Sequence, residues 1–327
     1  MAGVIGIGNA LTDIMIKLPN DNVLNQLGYP KGSMQLVDKI TLQKVLAVIK
    51  NMPQTIASGG SAANTIHGLA NLGIETAFIG KVGTDEFGDF FSSDLKNNRI
   101  KPILLKSKTE SGCAIAMITP DSERTFATFL GASVELTAYD IQQKYFSGYN
   151  YFHIEGYLLQ NHPLMIKAAT KAKNSGLIVS LDLASFNVVE ANRDFLHDFV
   201  NKYVDIVFAN EEESKAYTNM NPQEALHIIA KECSIAIVKL GKEGSLVKNN
   251  NKIYIVSSIN ANSIDTTGAG DLYAAGFLYG LINNLSFEKC GKIGSLLSGK
   301  VIETTGAKIS KEVWKEVKKE VKRIEKD

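Results

Sequence analysis

The segment Asp265-Thr-Thr-Gly-Ala-Gly-Asp271 runs straight into the apolar stretch Leu272-Tyr-Ala-Ala-Gly-Phe-Leu278. A glycine-rich loop that opens a helix leaves the first N–H groups without intrahelical acceptors, and the helix dipole adds a positive end. Gly268, Ala269 and Gly270 therefore read as an anion hole suited to a phosphate. Asp271 stands at its mouth, where a carboxylate beside a phosphate has a purpose if it handles a proton. For these four residues in isolation, an Asp N-cap after a flexible turn is the plainer account.

A second group surrounds Gly59-Gly60-Ser-Ala-Ala-Asn64. The glycines allow close approach of the backbone to a ligand, and the Asn64 amide both donates to and accepts from a hydroxyl. At the amino end, Gly6-Ile-Gly8-Asn9-Ala-Leu-Thr-Asp13 is not a dinucleotide loop, because GxGxxG requires glycine where Leu11 stands. Asp13 suits a vicinal diol, since a carboxylate accepts two hydrogen bonds at once. Asn210-Glu-Glu-Glu213 follows the buried run Val204–Phe208, hence a strand's carboxyl end, where open α/β sheets bind ligands. Glu211 and Glu212 read as a solvated first helical turn favoured by the dipole. Five histidines show no metal-ligand spacing, and neither a Walker loop nor a nucleophile elbow is present.

Taken together, Asp265–Asp271 and Gly59–Asn64, the latter continuing through Leu72-Gly73 to Gly80-Lys-Val-Gly83-Thr-Asp85-Glu-Phe-Gly88, match the two signatures of the ribokinase-like (PfkB) carbohydrate and nucleoside kinases. The chain resembles that family over nearly its whole length. The resemblance implies a ribokinase-like α/β fold and ATP-dependent transfer to a primary hydroxyl, with Asp271 as general base and the amides of Gly268, Ala269 and Gly270 on the transferring group. It further implies that Asn9, Asp13, Gly59, Gly60 and Asn64 hold the acceptor. Asn210, Lys239, Gly241 and Gly244 would flank ATP, and Glu213 would place magnesium through water. Lys239 departs from the family's commoner Thr, and its reach, to a phosphate or only to the sheet, stays open. Arg124 matches the lid arginine of adenosine-kinase-like members, which the resemblance implies would arrive over the transferred phosphate on closure. Asp265, Thr267, Val301, Thr304, Gly306 and Ser310 fall where many members hold a monovalent cation such as potassium. The stretch Gly6–Asp13, the Gly112-Cys113 pair and Arg124 look closest to adenosine kinases and their bacterial relatives, which makes a nucleoside the first acceptor and a sugar such as ribose or fructose the second. A silent, ligand-sensing member would have lost Asp271 or a glycine of the hole, and neither is lost.

The elements that must carry these residues alternate. Val4–Ile7, Ala77–Ile79, Tyr151–Ile154, Leu177–Leu181, Val204–Phe208 and Ile235–Val238 read as buried parallel strands, separated by helical stretches at 61–71, 85–98, 164–174, 193–201 and 222–231. Such alternation predicts a parallel sheet with helices on both faces, here one domain over residues 1–327. Beyond Asp271 the pattern is helical at 272–281, 287–304 and 311–325. Segments 12–37 and 112–130 break the alternation and predict a small inserted β lid, the second a hairpin about Thr119-Pro-Asp-Ser122. Its apolar residues Leu11, Met117, Phe126 and Phe129 suit a purine.

Composition narrows the partners. With 35 Lys+Arg against 34 Asp+Glu the net charge is +1, which supplies no field for nucleic acid or an acidic membrane. Three separated cysteines suggest neither a disulfide framework nor zinc, and no run is long enough to span a membrane, so the expectation is a cytoplasmic protein, monomer or homodimer.

Overall fold

The computed structural model describes residues 2–121 and 123–327, so Ser122 of the hairpin turn lies outside the described residues. In chain order the strands are β1 (Val4–Ile7), β2 (Leu11–Lys17), β3 (Met34–Leu36), β4 (Gln54–Gly59), β5 (Thr76–Gly83), β6 (Ile100–Ser107), β7 (Gly112–Ile118) and β8 (Arg124–Phe129). They continue with β9 (Tyr151–Glu155), β10 (Ile178–Asp182), β11 (Ile206–Asn210), β12 (Ile235–Lys239), β13 (Ser245–Asn249) and β14 (Lys252–Val256).

Nine of them form one sheet, in the order β14-β13-β12-β11-β10-β9-β1-β5-β6. All six strands read from the sequence lie in it, and from β12 through β6 the pairing is parallel. Alternation along β1 shows why both faces must be covered: Ile5 and Ile7 join one core and Val4 the other. Helices His162–Asn174, Arg193–Tyr203 and Pro222–Ile229 cover the first face. Ser61–Asn71, Glu86–Asn97, Ala269–Ile282, Phe287–Val301 and Lys311–Lys326 cover the second. Ala269–Ile282 is apolar all round because it is sandwiched between other elements, whereas Lys311–Lys326 buries one stripe, Trp314, Val317 and Val321.

The sheet is not wholly parallel. β13 and β14 pair antiparallel on the edge beyond β12, joined by a tight turn at Asn250-Asn251 in which Asn250 has φ 52°. A positive-φ Asn turn closes a hairpin without a crossover helix, so no alternation announces these strands. β6 escapes sequence reading because Pro102 and its lysines disguise it; as the opposite edge strand it tolerates both.

The second sheet has five strands in the order β3-β8-β7-β2-β4. It includes β4, which the sequence reading left out: Gln54-Thr-Ile-Ala-Ser-Gly carries one large apolar side chain and lies on the sheet's edge. One face of this sheet packs Ile14, Ile16, Cys113, Ile115, Met117 and Ala127 onto Leu42, Val45 and Ile49 of helix Lys39–Ile49. No helix among the described residues is long and apolar enough to cross a membrane.

Candidate active site

Parallel pairing brings the carboxyl ends of successive strands to one edge. Glu155 pairs in register with Asp182, and Asn210 with Lys239. The side chains that end β9, β10, β11 and β12 thus converge with the β1–β2 turn and the loop before helix Ala269–Ile282, where ligands of such sheets bind.

Two cavities meet at this edge. The smaller, about 300 Å³, is lined on its polar side by Asp13, Gly60, Ser61, Asn64, Asp182, Asp265 and Asp271. Met15, Ala114, Ala116, Phe126 and Arg124, which share one face of the second sheet with Asp13, complete the lining with Tyr157. The larger, about 670 Å³, is lined by Asn210, Lys239, Gly241, Gly244, Ala269 and Tyr273 among others, and Glu211 and Glu212 reach its rim. Gly270 borders both. The Asp265–Asp271 loop is therefore the partition, with Gly268 turned to the smaller side and Ala269 to the larger.

Asp271 is half-buried, and both its oxygens accept: Ser61 Oγ donates at 2.7 Å and Asn64 Nδ2 at 2.9 Å. Burial pushes its carboxyl up to about 6 and Asp182 adds to the rise, while Asn64, Ser61 and Lys239 counter it. Lys308 donates to Asn64 Oδ1 at 3.1 Å, which orients the amide so that its NH2 faces Asp271. The N–H groups of Gly268 and Gly270 have no backbone acceptor among the described residues, as expected at a helix start. Ala269 differs from the sequence expectation: its N–H donates to Thr266 O at 3.2 Å within the turn, leaving Gly268 and Gly270 as the free donors.

Asp13 lines the smaller cavity, and burial raises its carboxyl, with Lys308 opposing and Asp271 adding to the rise. Gly59 acts by absence, because a Cβ there would collide with the Asp13 carboxylate. Gly60, with φ 97°, turns the chain into helix Ser61–Asn71, and its own Cβ would strike Asn9 O. Asn9 is a correction. It is 6% exposed and not part of the cavity wall; its N–H donates to Glu155 Oε1 at 2.8 Å, and Oδ1 is buried without a partner. A second carboxylate bond, from Ala62 N to Glu155 Oε2 at 2.9 Å, makes Glu155 the pin that fixes both substrate-side turns.

The apolar wall also corrects the expectation. Phe126 lines the cavity as expected, but strand alternation turns Met117 and Phe129 into the core beneath the second sheet and Leu11 is absent from the lining; Met15, Ala114 and Ala116 take their place.

Beside the larger cavity, Asn210 caps helix Glu211–Thr218 in a capping box with Glu213, accepting from Glu213 N and donating Nδ2 to Glu213 Oε1, at 2.8 and 2.7 Å. Glu213 is 3% exposed, lies behind the cavity wall, and has its carboxyl raised by burial. Lys239 Nζ forms an ion pair with Asp182 at 2.9 Å. Magnesium binds through one or two carboxylates, water and substrate phosphates rather than in a protein cage. Asp182 and Glu213, the carboxylates whose charges bear on Lys239, fit that habit, and no cage of three His, Cys, Asp or Glu exists among the described residues.

Part of the monovalent-cation set is engaged within the protein. Asp265 is already paired with the Arg124 guanidinium and accepts from the amides of Thr267 and Gly306. Thr304 Oγ1 donates to Val301 O at 2.8 Å, and Ser310 Oγ caps the last helix by accepting from Val313 N at 3.3 Å.

Sequence reasoning missed Asp182, Ser61, Tyr157, Glu155 and Lys308. Asp182 and Glu155 were findable by the rule that singled out Asn210, a polar side chain ending a buried strand. Lys308 carries no local signal among 35 basic residues.

Comparison with known proteins agrees with this geometry. Over 98% of its length the chain superposes on an adenosine kinase from Sinorhizobium meliloti, covering 99% of that protein with a TM-score of 0.86 at 32% identity. A probable sugar kinase from Rhizobium etli gives 0.86 at 33% identity, with 98% of both chains covered. A 5-dehydro-2-deoxygluconokinase of Geobacillus thermodenitrificans is 29% identical over 268 residues, 75% of this chain and 78% of its own. Residues 38–314 match the pfkB family of carbohydrate kinases, and with two cavities divided by a glycine-rich helix start that bears an aspartate, the chain belongs to that family.

Proposed function

We propose that this kinase transfers the γ-phosphoryl group of ATP to the primary hydroxyl of a nucleoside, with adenosine as the first candidate. The observation that carries the reading is the mixed lining of the acceptor cavity: hydroxyl-binding Asp13 and Asn64 near Asp271, together with the apolar surface of Met15, Ala114, Ala116, Phe126 and Tyr157. A ribose needs only the polar groups, whereas an attached base covers the apolar ones. The adenosine kinase from Sinorhizobium meliloti supports the same acceptor.

Asp13 holds the acceptor's adjacent hydroxyls, and Asp271 takes the proton of the attacking one. The Gly268 and Gly270 amides stabilise charge on the transferring group. ATP lies in the larger cavity against Asn210, Lys239, Gly241 and Gly244. Asp182 and Glu213 would hold magnesium, which when bound neutralises phosphate charge.

A second reading, a sugar kinase, is favoured by the name of the Geobacillus relative. Calorimetry with adenosine and ribose, each beside a non-hydrolysable ATP analogue, separates the two. The nucleoside reading expects adenosine to bind tighter by several kcal/mol, as base burial at ~25 cal/mol per Å² predicts. Ribose binding equally well overturns it and leaves the kinase assignment intact.

A further inference from the structure

Lys239 occupies a place that neither the base nor the glycine loop explains. It ends β12, and its ammonium lies against the partition between the cavities: a Cβ on Gly270 would stand 2.9 Å from Nζ. Lys239 lines the nucleotide cavity, and its ion-pair partner Asp182, 2.9 Å away, lines the acceptor cavity. The pair thus spans the wall that a phosphoryl group must cross.

The ammonium is also short of acceptors. It carries three N–H donors. Asp182 Oδ2 is the one acceptor it meets among the described residues, although the Lys239 side chain is only 13% exposed. A nearly buried cation with spare donors is costly unless a ligand completes its shell.

We propose that Lys239 is a catalytic residue of phosphoryl transfer, its Nζ donating to an oxygen of the γ-phosphoryl group in flight between the two cavities, with Asp182 as the positioning residue that aims it. This rests on the reading of Asp271 as base and of the larger cavity as the ATP site. In the step, the bond from the γ-phosphorus to the β,γ-bridging oxygen breaks, and its electron pair leaves with ADP. A bond forms between that phosphorus and the acceptor oxygen, whose proton passes to Asp271. A fixed ammonium at the crossing point meets the phosphoryl oxygens more closely in the transition state than in bound ATP, so it acts on kcat more than on KM.

Lys239→Met alone strands the buried Asp182 charge, which destabilises strongly. It is therefore assayed beside Lys239→Met/Asp182→Asn, which removes both charges, with melting temperatures for each and with the best acceptor of an adenosine, inosine, ribose and fructose panel. The expected result is a kcat lower by ~10²–10³ in both variants, with either KM changed by less than about fivefold. In the wild-type protein, the lysine Nζ resonance of Lys239 should move when magnesium, ADP, aluminium fluoride and acceptor are added together, beyond its shift with magnesium and ADP. A double variant that keeps kcat within about threefold, a rise in the ATP KM with kcat unchanged, or an unmoved Nζ resonance would each overturn the proposal. Asp271→Asn, run in parallel, tells which reading has failed: if it turns over, the base assignment falls and takes this one with it, and if it is dead while the double variant is active, only the role of Lys239 is lost.

Discussion

Arg124, the first residue of β8, is ion-paired with Asp265, the first residue of the loop that ends in Asp271. Both side chains line the acceptor cavity, and the Asp265 side chain is 1% exposed. The pair ties the second sheet onto the catalytic loop, and the guanidinium becomes available to a phosphate only by exchanging partners. Arg124→Met should lower kcat/KM for the acceptor about tenfold or more and speed amide exchange in β7 and β8. Steady-state kinetics and hydrogen exchange by mass spectrometry check both; unchanged exchange would show that the pair does not hold the sheet.

Asp271→Asn should lower kcat by ~10²–10⁴. The same change should raise stability at neutral pH. Because the folded protein holds the Asp271 proton more tightly than the unfolded chain, ionisation of this carboxyl destabilises the fold by on the order of 1–3 kcal/mol. The variant's geometry is preserved, since an amide can accept from Asn64 and donate to the Ser61 hydroxyl. Melting curves should show the gain above the folded pKa of about 6 and its disappearance below the ordinary value of 3.8. A variant no more stable than wild type at neutral pH contradicts the account.

The rate itself should carry the same titration. A general base acts as the carboxylate, and burial, then Asp182, raises the Asp271 carboxyl to about 6. Activity is therefore full above that value and falls about tenfold per pH unit below it. The pH profile of kcat/KM reads this directly, and an acid limb near the ordinary aspartate value would remove Asp271 from the role.

Two glycines should fail differently. At Gly60, φ is 97° and a Cβ would strike Asn9 O, so Gly60→Ala should destabilise the whole chain by about 1–3 kcal/mol. At Gly270 the backbone is helical and the nearest atom to a Cβ is the flexible Lys239 Nζ at 2.9 Å, so Gly270→Ala should fold normally and lose turnover. Thermal melts beside kinetics distinguish the two, and a fully active Gly270→Ala would show that the partition tolerates bulk.

The sequence by itself determined the chemistry-bearing loop, the six central strands and the family, because these depend on residue type and local period. Asp265–Asp271 is a helix start whatever surrounds it, and a run such as Val204–Phe208 is apolar enough to require burial on both faces. What lies at strand ends also follows, since parallel pairing sends every carboxyl end to the same edge. Asp182 and Glu155 were legible by that rule.

Only tertiary structure decided which side chains face one another. Met117 and Phe129 are as apolar as Phe126, yet the side to which each points depends on register within the second sheet, and a shift of one residue would exchange them. Asn9 looked like a ligand by its place after β1, but it is absent from the cavity lining, and Glu155, distant in sequence, accepts from its backbone N–H. Arg124 and Asp265, read as a phosphate clamp and a cation ligand, meet only because two sheets close on each other. Lys308 and Asn64 are 244 residues apart, and the Lys239–Asp182 pair crosses β11. Contacts of this kind are set by the docking of elements, which no local pattern encodes.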